Sequence, residues 1–324
     1  MYVKSRQALL VSVALSILSL ATLSGSSSGV SPILTSRLFS AVSSGCADPD
    51  RAVWVQAGPF WMGSNSAERR LAYALSTEAV REVRWFDAEL RLRRLNLPAF
   101  CIDRFLVTQA QYAAFVAATR HRPPGISKEE YRHQGFLVHD YEREVTRYLW
   151  DDGTPPAGRG DHPVVLVSAD DAAVYCRWRY AGSRLPTEAE WEKAARGEDG
   201  WIFPWGNQWD PERLNSAARG PGGTTPVTRY PEGVSSYGLF DPVGNVFQWT
   251  SSSLPDGRRI VKGCAWDDEP GLCRPAFRHA RPSETRHILI GFRCAGSARN
   301  PKLRRGLGQD GPGRVDPGRQ SPVA

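Results

Sequence analysis

Hydrophobic and polar positions fall into several distinct patterns along this chain. From Ala8 to Leu23 the residues "ALLVSVALSILSLATL" are almost wholly apolar, with Lys4 and Arg6 ahead of them and the small residues "SGSSSG" behind. A basic start, an apolar run of this length and small residues after it predict a secretory signal peptide over 1–25. The run falls short of the ~20 residues that span a bilayer, which favours a cleaved signal over the alternative, an uncleaved anchor. Residues 26–49 read as a Ser/Gly-rich linker. From Ala52 the string "AVWVQAGPFWMGS" combines strand-forming Val and Trp with turn-forming Gly. Between Glu68 and Leu95 a charged stretch with helical spacing predicts one helix, followed by a half-exposed strand over "ELRLRRLNL".

Three helices announce their own starts. Thr108 with Gln111, Ser168 with Asp171, and Thr187 with Glu190 each place a hydroxyl three residues before a side chain that can return the hydrogen bond. The last of them opens "EAEWEKAAR" and stops at Gly197, with Trp191, Ala194 and Ala195 on one apolar face. Beyond Gly197 the chain turns Gly-, Pro- and Trp-rich, with short strands and long loops. These patterns predict one loop-rich α+β domain over about 50–298. The tail over 299–324 has few apolar residues and reads as disordered.

Charge changes this picture little. The formal +7 sits at the ends: the tail carries six basic against two acidic residues, and Lys4, Arg6 and Arg37 supply the rest. The domain is neutral, so no electrostatic footprint argues for nucleic acid, and nothing beyond the signal segment argues for a membrane. Cysteine usage matters more. Cys46, Cys101, Cys176, Cys264, Cys273 and Cys294 contain no C-x-x-C pair, which in an exported chain favours three disulfides over a zinc site. Spacing alone leaves fifteen possible pairings.

Several strings resemble the formylglycine-generating enzyme, or sulfatase-modifying factor, family. They run in order: "GPFWMGS" at 58–64, "FCIDRFLVTQAQYAAF" at 100–115, "HPVVLVSADDAAVYCRW" at 162–178, "SRLPTEAEWEKAARG" at 183–197, "FPWGN" at 203–207, "YGLFDPVGNVFQWT" at 237–250 and "GFRCA" at 291–295. The resemblance implies a loop-rich variant of the C-type-lectin-like fold, short helices around small antiparallel sheets. It does not fix the function, because the family includes copper-dependent oxidases of a sulfatase cysteine, iron-dependent sulfoxide synthases and members of other roles.

The family's oxidases hold copper between two thiolates in a segment resembling Gly-Gly-Ser-Tyr-x-Cys-x4-Cys. The matching segment here is "KGCAWDDEPGLC". Aligned on Trp266, the first copper cysteine falls on Asp268, the second on Cys273 and the family's Ser on Ala265. The Trp of the family's "GN-x-W-E-W" falls on Phe247. Aspartate is a hard oxygen donor that suits Cu(I) poorly, so copper is not expected. Cys264 and Cys273 then read either as a displaced catalytic dithiol or, the favoured reading, as a local disulfide. The sulfoxide synthases need a His-x3-His-x-Glu cluster, which none of the six histidines supplies. His133 and His139 read as polar loop residues rather than metal ligands.

The resemblance also implies calcium. Its ligands fall on the Asp241 carboxylate, the Gly244 and Val246 carbonyls and the Gln248 side chain, where the family has Glu; all are oxygen donors. A second site falls on Asn215 and the Ser216 carbonyl. The alternative is that these turns hold themselves by Asx-type bonds. The resemblance pairs Cys176 with Cys294, which leaves Cys46 for Cys101. Finally, the stretch from Cys273 to Arg293 is rich in basic residues, and Arg278, His279 and Arg281 are candidate anion ligands. Two functions remain open: an exported binding module for a protein or small anionic ligand, which the residue changes favour, or a metal-dependent oxidoreductase acting on a sulfatase-like cysteine.

Overall fold

In chain order the elements of the computed structural model are β1 (Ala52–Val55), β2 (Gly58–Met62), α1 (Ser66–Ala74), α2 (Glu78–Val83), β3 (Arg93–Leu97), β4 (Phe100–Asp103), α3 (Gln109–Thr119) and α4 (Lys128–His133). There follow α5 (Ala169–Arg179), β5 (Ser183–Arg184), α6 (Glu188–Arg196), β6 (Phe247–Ser253), β7 (Arg259–Lys262), β8 (Arg278–Arg281), β9 (Ile290–Gly291) and β10 (Ala295–Ser297). The structure describes Cys46, Asp48, residues 50–135 and residues 137–298. The predicted signal segment and basic tail lie outside them.

The strands form three small sheets: β1-β4-β10-β5, the hairpin β2-β3, and β8-β7-β6-β9. In the last, β6 runs antiparallel to β7 and parallel to β9. With six short helices and long loops this is the expected α+β, loop-rich architecture. No helix among the described residues is long and apolar enough to cross a membrane.

All three anticipated capping boxes form, since each closes through hydrogen bonds within four residues. Ser127 and Glu130 make a fourth, on α4, that the sequence reading passed over. Helix α6 departs from its expected single apolar face. Glu192, Lys193 and Arg196 are as fully buried as Trp191, Ala194 and Ala195. They survive burial because they are paired: Arg196 meets Glu192 at 3.3 Å and Glu68 at 3.0 Å, and Lys262 meets Glu192 at 3.0 Å. The Lys193 ammonium instead donates to the carbonyls of Gln56 and Gly58 at 2.7 and 3.1 Å.

The region from Glu68 to Leu97 also differs from expectation, folding as two helices and a shorter strand. Arg84 in the left-handed conformation stops α2 and throws the chain into a 3-10 turn at Trp85–Ala88. Glu89 is then drawn inward to pair with the buried Arg274, so pairing with β2 begins only at Arg93. A buried charged partner outweighs local strand propensity here.

Three disulfides staple the domain: Cys46–Cys101, Cys176–Cys294 and Cys264–Cys273. The first ties the end of the predicted linker to β4. The second joins α5 to the residue before β10, over aromatic packing in which Tyr175 meets Phe292 at 5.4 Å and Tyr112 at 5.5 Å.

Candidate functional site

The segment from Cys264 to Cys273 leaves β7, loops and closes on itself. Both cysteines are fully buried and joined to each other, so neither thiol is free. Inside the loop, Asp268 turns back and accepts the Ala265 amide at 2.7 Å. Burial, reinforced by the neighbouring Asp267 charge, pushes the Asp268 carboxyl well above the usual carboxylate range. Ala265 has no hydroxyl to offer. One position of the family oxidases' copper pair is a carboxyl here and the other is spent in a bridge, so this donor set does not fit a copper dithiol.

Beside the loop lies a cavity of about 80 Å³. Trp85, Phe247 and Phe277 supply much of its apolar wall, and Asp268, His279 and Arg281 face it. The His279 ring stacks on Trp85 at 5.8 Å and on Phe277 at 6.4 Å. Burial, and then the Arg281 and Arg258 charges, lower its pKa to about 4, so the imidazole is neutral at pH 7. Burial lowers the pKa of Arg281 to about 10, which leaves the guanidinium charged. The cavity is thus an aromatic slot with a neutral imidazole, one cationic group and the carboxyls of Asp267 and Asp268.

Asp267 forms another part of the wall. Its Oδ2 is 3.0 Å from Nε2 of His139, whose Nδ1 lies 3.1 Å from Glu144. Burial acts to lower the pKa of His139, but the two carboxylates outweigh it and hold the imidazole above the ordinary histidine value. Both ring nitrogens are committed, which takes His139 out of any metal site. Among the described residues no group of three or more His, Cys, Asp or Glu side chains could hold an ion.

The basic segment points mostly inward. Arg278 grips Glu188 through bonds of 2.8 and 2.9 Å, Arg274 pairs with Glu68 and Glu89, and Arg286 pairs with Asp171. Of the three candidate anion ligands, the cavity therefore receives His279 and Arg281 but not Arg278. A guanidinium neutralised by a buried carboxylate is a structural group.

At the expected calcium loop, Asp241 is buried and its Oδ2 accepts from Asn245 Nδ2 at 2.9 Å. Burial raises its pKa to about 7. The Gly244 carbonyl accepts the Val246 amide at 2.8 Å, and the Gly244 amide reaches the Cys264 sulfur at 3.1 Å. The Gln248 oxygen points away from the loop, so this donor set does not fit the cation as expected. At the second site Asn215 Oδ1 is buried without a hydrogen-bond partner, while the Ser216 carbonyl accepts the Gly220 amide at 2.7 Å. The Ser216 Oγ is likewise buried without a partner, so this site keeps two unclaimed oxygens of the kind calcium takes.

Sequence reasoning missed the cavity walls Trp85, Asp267 and Phe277. Trp85 sits on a single turn with no periodic neighbours, and only long-range packing brings it against β8.

Comparison with known proteins agrees with the motifs. The model of the family described as "Sulfatase-modifying factor enzyme 1-like domain" matches residues 39–298. The mouse protein "Inactive C-alpha-formylglycine-generating enzyme 2" is 32% identical over 298 residues, covering 80% of this chain and 89% of that protein. The Mycobacterium tuberculosis "Formylglycine-generating enzyme" is 31% identical over 278 residues, covering 65% of this chain and 92% of its own length. Among solved structures, PvdO from Pseudomonas aeruginosa superposes with a TM-score of 0.59 at 23% identity, over 78% of this chain and 97% of that one, which speaks to fold alone. The chain belongs to the sulfatase-modifying factor family, that of the formylglycine-generating enzymes and their inactive relatives.

Proposed function

We propose that this protein is an exported family member that binds a ligand in the Phe247–His279–Arg281 cavity and does not generate formylglycine. One observation carries the reading: Cys273, the one cysteine left at the family oxidases' copper positions, is bridged to Cys264, and Asp268 stands at the other position. Thiolate chemistry needs a reduced, accessible sulfur, and both are buried in a disulfide. The cavity's size admits a small anionic group, either free or at the tip of a partner's side chain, with Arg281 as its cationic end. Three disulfides and the Lys4–Leu23 pattern support an oxidising destination. The family likeness supports reading the α+β architecture as a C-type-lectin-like variant.

A non-reduced peptide map of the purified protein, with copper analysis and incubation with a Cys-x-Pro-x-Arg peptide, tests this. The expected result is a linked Cys264–Cys273 peptide, no stoichiometric copper and an unchanged peptide thiol. Free thiols at both positions, one copper per chain and oxidation of the peptide would restore the oxidase.

A further inference from the structure

The loop from Asp241 to Gln248 is held by groups that leave little for a cation to do. Gln248 is fully buried. Its Oε1 accepts from Trp191 Nε1 at 2.8 Å and from Arg293 Nε at 2.7 Å. Its Nε2 donates to the Asp241 carbonyl at 3.0 Å. The orientation of an amide follows from its neighbours, and here the neighbours decide it. An indole N–H and a guanidinium N–H are donors only. Turning the amide to offer its oxygen to the loop would set two buried donors against an NH2 group and leave all three unsatisfied, at roughly 1–3 kcal/mol for each group. A carboxylate in the same place has two oxygens, one for those donors and one for the loop. An amide has one.

Arg293 completes the arrangement. Its side chain is fully buried, and besides Gln248 it meets four backbone carbonyls: Asp103 and Arg104 at 3.0 Å each, Phe240 at 2.7 Å and Asp241 at 2.9 Å. A guanidinium ringed by five oxygens is a fixed donor, and it holds the Gln248 oxygen away from the loop. Its planar fork donates to these oxygens with little entropy left to lose.

We infer that the Gln248 amide, whose oxygen is claimed by Trp191 and Arg293 and whose NH2 therefore faces the loop, takes the place of a bound calcium ion at the Asp241 loop, so that the loop keeps its shape without metal. On this inference Gln248 is the residue that excludes the ion, and a single atom change restores it: Gln248→Glu supplies a second carboxylate beside Asp241, the charge and oxygen chemistry that calcium selects. The inference is independent of what the cavity binds.

The test uses the full chain, melted in calcium chloride and in chelator, with bound metal counted after dialysis. Terbium serves as a luminescent stand-in for calcium, because Trp191 lies against Gln248 and can sensitise it. Wild type and Asp241→Asn should show the same response of melting temperature to calcium, and wild type should give no terbium signal that Asp241→Asn removes. Gln248→Glu should bind one ion per chain, gain a terbium signal and melt higher by at least about 3 °C in calcium, by mass action on the folded state. Calcium-dependent melting or ion binding in wild type that Asp241→Asn abolishes would overturn the inference. So would a folded Gln248→Glu protein that ignores calcium. Should that variant fail to fold, the wild-type comparison with Asp241→Asn decides alone.

Discussion

Arg278 holds Glu188 by two hydrogen bonds, of 2.8 and 2.9 Å, from β8 to the first turn of α6. Lys262 approaches the same carboxylate at 3.6 Å. The bond joins the sheet behind the cavity to the helix that carries Trp191, so its loss should be felt in folding rather than in ligand binding. Arg278→Met is expected to cost about 3 kcal/mol, since it leaves a mostly buried carboxylate short of a partner. Sulfate is expected to shift the His279 ring signals, and Arg281→Ala should abolish that shift. A denaturant midpoint and an NMR titration on both variants separate the two roles. If Arg278→Met removes the sulfate response while Arg281→Ala keeps it, the roles assigned to them are exchanged.

Two of the three bridges close loops of very different length. Cys264–Cys273 spans a separation of 9 residues and Cys176–Cys294 one of 118. In the chain-entropy account the shorter stabilises by about 2.5 kcal/mol and the longer by about 5. Paired Cys→Ser variants, compared by urea unfolding, should therefore rank with Cys176→Ser/Cys294→Ser well below Cys264→Ser/Cys273→Ser. The reverse order would show that the short bridge acts through the folded loop, not through chain entropy.

His139 links a loop on the cavity rim to Asp267 and Glu144, and the two carboxylates hold its pKa above the ordinary value. A histidine whose folded pKa exceeds its unfolded one adds stability that is complete below pH ~6.5 and fades as pH rises through the folded value. The gap in melting temperature between wild type and His139→Gln should accordingly be widest near pH 5 to 6 and close by pH 9. A gap that stays constant across that range would mean the ring acts by shape alone.

Gly271 sits where the loop of the short bridge meets α1. A methyl group there would lie 2.1 Å from Ser76 Oγ and 2.4 Å from the Ala72 carbonyl. Gly271→Ala should destabilise by about 1–3 kcal/mol, the usual cost of overfilling a packed site. Gly125→Ala, where nothing lies within 4 Å, should be close to neutral. Equal denaturant midpoints for the two variants would refute the close approach.

Some of this protein is written locally. The capping boxes on α3, α5 and α6 need only residues three apart, and each forms where the sequence puts it. The family motifs, likewise local strings, identify the family. What the sequence left open depends on partners far along the chain. Glu89 reads as the start of a strand until Arg274, 185 positions away, draws it inside. Gln248 reads as an oxygen donor for calcium until Trp191 and Arg293, 57 and 45 positions away, claim that oxygen and turn its NH2 to the loop. Arg278 reads as an anion ligand until Glu188 neutralises it. In each case the residue's chemistry was legible in the sequence. Its direction was not, because a buried polar group points to whichever partner satisfies it, and only the tertiary structure brings that partner within 3 Å.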